Sequence, residues 1–134
     1  MSTLSFTPWR PFEVFRDHGV TTAYLRRIGA TAAAEFRNQT AASKSGRVYM
    51  RRGKAHQASA PGEYPARDSG AHSATIDFVA GVDRVEVGSG MFYAKYLRYG
   101  TSKMAPRRMS QDALRTAISR DGFGIGRFVR FRQL

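Results

Sequence analysis

The chain has 134 residues, of which 42% are apolar and 12% aromatic, enough for one modest hydrophobic core and too short for two full domains. It holds no cysteine, which excludes disulfides, thiolate zinc sites and thiol catalysis. Lys and Arg number 22 against 10 Asp and Glu, a formal charge of +12, and 18 of the cations are Arg; such an excess of planar guanidinium forks points to phosphate or carboxylate on a partner.

The first ten residues have no hydrophobic periodicity, and Pro8 and Pro11 bracket Trp9-Arg10, so 1–10 reads as an extended arm whose Trp9 docks on a neighbour. From Pro11 to about Lys44, Val20, Tyr24, Ile28, Ala32 and Phe36 recur every fourth position beside Leu25, the pattern of one amphipathic helix. Pro11 suits its first turn, and Gly19 and Gly29 predict a soft spot, each costing about 1 kcal/mol against Ala. Ser45-Gly46 stops the helix. Arg47 to Arg51 is predicted as a short strand running into the basic turn Arg52-Gly53-Lys54.

Residues 55–70 read as a loop of unusual length, and loops beyond about 12 residues are uncommon in compact domains unless they do something. Pro61 and Pro65 restrict it, and Tyr64 offers a large apolar anchor beside Glu63. The expectation is an intersubunit or interlayer contact, with Tyr64→Ala weakening assembly while the monomer stays folded. Strands are predicted over Ser73–Val79 and Arg84–Val87, paired as a hairpin across residues 80–83. A short helix follows over 92–99, with Gly100 as its C-terminal stop and the Phe92, Tyr96 and Tyr99 spacing pointing to core rather than to a base-stacking platform. Ser110 is the predicted N-cap of a last helix, with Ala113, Leu114, Ala117 and Ile118 as its apolar stripe and Asp121-Gly122 as its end.

Gly122, Gly124 and Gly126 release the chain into Arg127-Phe128-Val129-Arg130-Phe131-Arg132. This run is read as a segment that orders against another chain, with an internal strand as the alternative. The elements therefore predict a small α+β protein: a long N-terminal helix and two shorter helices on a small antiparallel sheet, with a long loop and extended termini. Its parts are the arm at 1–10, one domain over 11–121 and a basic extension at 122–134.

The chemistry is sparse. His18, His56 and His72 lack ligand spacing, the acids are scattered, and the 122–126 glycines have neither the preceding strand nor the following helix of a phosphate loop, so no enzyme, metal or cofactor is expected. No apolar window reaches membrane-spanning length and the start lacks a basic, apolar leader, so no membrane is expected. Half of the net charge, +6, falls in residues 101–134. There Lys103, Arg107 and Arg108 flank Pro106, while Arg127, Arg130 and Arg132 interleave with Phe128 and Phe131, a composition suited to DNA phosphates or an acidic groove.

Three motifs in order carry a resemblance: residues 58–70 with Pro61-Gly62-Glu63-Tyr64-Pro65 and Asp68-Ser69-Gly70, then Tyr93-Ala94 with Gly100-Thr101, then Met104-Ala105-Pro106-Arg107 with Ala113-Leu114. Over about Val20 to Ile118 the chain resembles the gene-product-ten-like tail-component family, the neck or tail-completion proteins of long-tailed bacteriophages. Where the family carries an acid before its aromatic-glycine-threonine triplet this chain has Arg98, so an intersubunit salt bridge there is rewired. Ala71-His72 replaces the usual long hydrophobic residue.

The resemblance implies a structural virion protein, assembled in the host bacterial cytoplasm. It would form a ring at the head-to-tail junction that joins the capsid connector or head-completion protein to the tail terminator or tail tube and lets DNA through. A hexamer matches a six-fold tail tube, with a dodecamer as the alternative. Subunit contacts are then expected at Trp9, Pro61, Glu63, Tyr64, Pro65, Arg98, Phe128 and Phe131, and DNA-facing or acid-facing contacts at Lys103, Arg107, Arg108, Arg127, Arg130 and Arg132. The competing reading is a basic nucleic-acid-binding regulator, for which the last helix offers Gln111, Arg115 and Ser119 on its open face.

Overall fold

A computed structural model describes residues 2–6, 18–67, 69–81, 84–121 and 129–133. The periodic stretch after residue 11 is helix α1, His18–Ala41. Leu25, Ile28, Ala32, Ala33 and Phe36 are its buried face and Tyr24 packs at the margin. Gly29 is not a soft spot: a Cβ there would stand 2.7 Å from Val85 Cγ2 and close to the Phe78 ring. The helix carries glycine because the sheet passes directly beneath it.

That sheet has four strands in the order β4-β5-β1-β6, every pair antiparallel: β1 is Ser2–Phe6, β4 Ile76–Ala80, β5 Arg84–Ser89 and β6 Val129–Gln133. The predicted hairpin of β4 and β5 is present, with Phe78 opposite Val87 and Ala80 opposite Val85. Residues 71–75 do not join it. Gly70 at φ 84° starts a single helical turn, α2 (Ala71–Ala74), and the strand begins only at Ile76. Strand alternation sends Ile76, Val85 and Val87 into the core and leaves Asp77 and Val79 in water.

Two expectations about the chain ends are corrected. Residues 2–6 are no arm: β1 lies between β5 and β6, with Leu4 opposite both Val85 and Phe131. Residues 129–133 pair within the chain as the edge strand β6, so the internal-strand alternative holds. The backbone polar groups of β1 are thereby paired on both sides, while β6 keeps one free edge. Trp9, Arg127 and Phe128 lie outside the described residues.

Helix α4, Ser110–Asp121, packs on α1 and on the sheet through Ala113, Leu114 and Ala117. Its N-cap is Met109 rather than Ser110: the Met109 N–H donates to Asp112 Oδ2 at 3.2 Å, while Ser110 Oγ meets Ser2 Oγ at 2.8 Å in the interior. At the other end Asp121 ties the two helices, accepting from Thr31 Oγ1 at 2.9 Å and from Arg27 at 3.2 Å. Arg120 reaches Glu35 at 3.0 Å.

The strand expected over 47–51 is present, and the expected loop 55–70 gives up its first three residues to a second strand. β2 (Val48–Arg51) and β3 (Lys54–Gln57) form a second, two-stranded sheet. The connecting residues Arg52 and Gly53 both have positive φ, 51° and 76°, the signature of a two-residue type I′ turn.

Candidate interaction surfaces

Helix α3 is shorter than predicted, Ala94–Tyr99, and Gly100 ends it at φ 74°. It rolls the aromatic cluster the opposite way from the expectation of core. Ala94 and Leu97 pack on the core, and the Tyr93 ring stacks on His72 with centroids 6.0 Å apart. Phe92, Tyr96 and Tyr99 are 83%, 48% and 56% exposed. Lys95 Nζ sits 5.0 Å from the centre of the Tyr96 ring, and the Arg98 guanidinium 5.3 Å from that of Tyr99. The result is an outward patch of rings with cations over them, a surface that offers both apolar area and charge to a partner.

Of the loop 55–70, expected as a contact for another subunit, Tyr64 and Pro65 are instead built into this chain. Tyr64 is 7% exposed, with its ring 5.8 Å from that of Phe36, and Pro65 is buried beside it. Burial, with Asp112 and Glu35 nearby, pushes the Tyr64 hydroxyl up to about 12. Glu63 is likewise held by its own chain, accepting from Ser45 Oγ at 2.6 Å and from the Ala60 N–H at 2.8 Å. Those bonds hold its carboxyl below the usual carboxylate value. Pro61 alone among the proline and tyrosine contacts stays exposed.

Of the expected DNA-facing cations, Arg107 is corrected outright. Its Nε donates to Ser59 Oγ at 2.9 Å, and its terminal nitrogens donate to Ser59 O at 3.0 Å and Ala105 O at 2.9 Å. The Arg107 N–H donates to Leu97 O at 2.7 Å and that of Arg108 to Glu63 O at 3.0 Å. Loops 58–67 and 100–109 are thus latched to each other, and Arg107 is the latch. Lys103 and Arg108 keep exposed side chains. Arg130 and Arg132 lie on β6 opposite Ser5 and Thr3.

An open cleft of about 560 Å³ lies between the end of α1 and the start of α4, lined by Glu35, Lys44, Glu63, Arg108, Asp112 and Arg115 among others. Its carboxylates are committed internally: Glu35 to Gln39 and Arg120, Glu63 to Ser45 and Ala60, Asp112 to the Met109 N–H. Lys44 donates to Gln39 O, and burial lowers its ammonium pKa. The cleft is a seam of structural bonds between elements. Among the described residues no three His, Asp or Glu side chains come together to hold a metal ion, and no helix is long and apolar enough to cross a membrane.

On the opposite side of the 58–67 loop the buried imidazole of His72 sits edge-on to Phe36 at 5.6 Å, and both of its ring nitrogens lack hydrogen-bond partners. Desolvation lowers its pKa. Sequence reading left this residue aside because an isolated histidine carries no spacing signal. Of the hairpin β2–β3 it supplied the first strand and the turn but not the return strand, although an X-Gly pair between two runs with alternating side chains is a hairpin signal. Comparison with known proteins returns no matching family model, no matching curated relative and no matching solved structure.

Proposed function

We propose that this protein is a structural ring subunit of the head-to-tail junction of a long-tailed bacteriophage, joining the capsid connector to the tail tube around the path of the DNA. The observation that carries the proposal is the order and spacing of the three motifs between residues 58 and 114. Their contacts fit a shared structural purpose: the first and third motifs meet in the Arg107–Ser59 latch, and Gly100-Thr101 of the second closes on Met104 through Thr101. Conserving that geometry would hold the 92–99 aromatics at a fixed outward angle, as a subunit contact requires.

In a ring built from heterologous contacts each subunit presents two different surfaces, and closure needs no catalytic group. The exposed Phe92, Tyr96 and Tyr99 patch supplies one of them. The test is genetic: phage made without this protein should yield DNA-filled heads and separate tails by electron microscopy, and adding the purified protein should join them. Normal joined particles from the null mutant would overturn the proposal.

A further inference from the structure

The hairpin β2–β3 stands largely in water, although Tyr49, Arg51 and His56 border a cleft shared with Pro65, His72 and Tyr93. All four residues of β2 are exposed, Val48 at 58% and Met50 at 68%, and only His56 of β3 is half-buried. Four register pairs run from Val48 with Gln57 to Arg51 with Lys54. The Tyr49 ring meets His56 edge-on at 5.2 Å, and at the base the Gly46 N–H donates to Ala58 O at 3.0 Å. A two-stranded ribbon alone in water is marginally stable, so a ribbon this exposed is completed by something it touches.

Its charge says what. Arg47, Arg51, Arg52 and Lys54 place four cations within eight residues, and there is no carboxylate from Gly46 to Gly62. The register puts Val48, Met50 and Ala55 on one face and Tyr49, Arg51, Lys54 and His56 on the other, with Arg52 at the tip. We propose that this hairpin is a sequence-independent contact for duplex nucleic acid, gripping the phosphate backbone with these four cations. Four cations with no acid among them repel the same hairpin on a second copy and call for a polyanion as the occupant. A ribbon of two strands about 4.8 Å apart, closed by a two-residue turn, is narrow enough for a major groove about 12 Å wide. Valine and methionine on the face opposite the cations can lie against sugars and base edges once the ribbon has entered a groove. The inference stands apart from the head-to-tail reading, and its test uses purified full-length protein rather than phage.

Fluorescence anisotropy with a mixed-sequence duplex of about 30 base pairs, titrated across roughly 50 to 200 mM salt, reads both affinity and salt slope. The hairpin variant is Arg47→Gln, Arg51→Gln, Arg52→Asn and Lys54→Gln, asparagine being chosen because Arg52 has positive φ. A second variant removes the same charge from exposed positions elsewhere: Arg26→Gln, Arg27→Gln, Arg67→Gln and Arg84→Gln. The expected result is at least a tenfold affinity loss in the hairpin variant only, its salt slope falling by roughly 0.9 for each phosphate contact removed. Lys54→Glu alone should move both quantities the same way, which keeps the test readable if the fourfold variant folds poorly. Equal losses in the two fourfold variants would overturn the inference, since net charge alone would then drive binding. Tight binding of poly-L-glutamate with the same hairpin dependence would overturn it in favour of an acidic protein, and no duplex binding by the wild type would end it.

Discussion

At the scale of single residues, the side chains that look most available in the sequence are the ones the fold consumes. Tyr64 closes the core against Phe36, so Tyr64→Ala should destabilise the isolated subunit by about 3 kcal/mol. Urea unfolding of the purified monomer checks this, and an unchanged midpoint would return Tyr64 to an interface role. His72 makes stability depend on pH. Its folded pKa is lowered by burial from the ordinary 6.5, because charging it would place an unpartnered cation between Phe36 and Tyr93. The unfolded chain binds that proton more readily, so this contribution is complete above about pH 6.5 and is lost as pH falls through the lowered native value. The urea midpoint should therefore drop between about pH 7.5 and about pH 5.5, and His72→Phe should flatten that drop. Glu63 also loses stability on acidification, but below its ordinary 4.5, which separates the two groups.

At the scale of elements, strand β6 belongs to the chain's own sheet. Removing residues 129–133 exposes the whole β1 edge from Ser2 to Phe6 and should cost about 2 kcal/mol or more, a fall in melting temperature of roughly 5 to 10 °C. A melting curve identical to that of the intact chain would show that β1 does not depend on it. The opposite edge is blunted. The Phe78 N–H is taken by Asp77 Oδ1 at 2.8 Å, and Ile76 O accepts from Arg37, so β4 offers a poor template for another chain's strand. Helix α1 and the β4–β5 hairpin were legible because periods of about four and of two survive in their apolar residues. Of the β2–β3 ribbon the first strand and the turn were legible and the return strand was not, because Lys54–Gln57 buries almost nothing and so leaves no apolar stripe to read. The inward turn of Tyr64 escaped for a different reason: it depends on Glu63 and Arg107 finding partners at Ser45 and Ser59, and no local pattern encodes a contact between side chains so far apart in sequence.

At the scale of the molecule, the α+β class followed from the order of elements, whereas the placement of the two outermost strands did not. A short run without alternation beside prolines has the same local composition whether it is an arm or a strand, and only the free ladder positions of β5 and β6 decide between them. That placement governs how the protein is made. Strand β1 is synthesised first, yet both of its hydrogen-bonded neighbours come later, β5 beginning at Arg84 and β6 at Val129. On a ribosome adding about 5 to 20 residues each second, β1 therefore waits several seconds with its polar backbone unpaired. The sheet closes only after residues 129–133 clear the exit tunnel, so a product interrupted before them keeps the β1 edge unpaired.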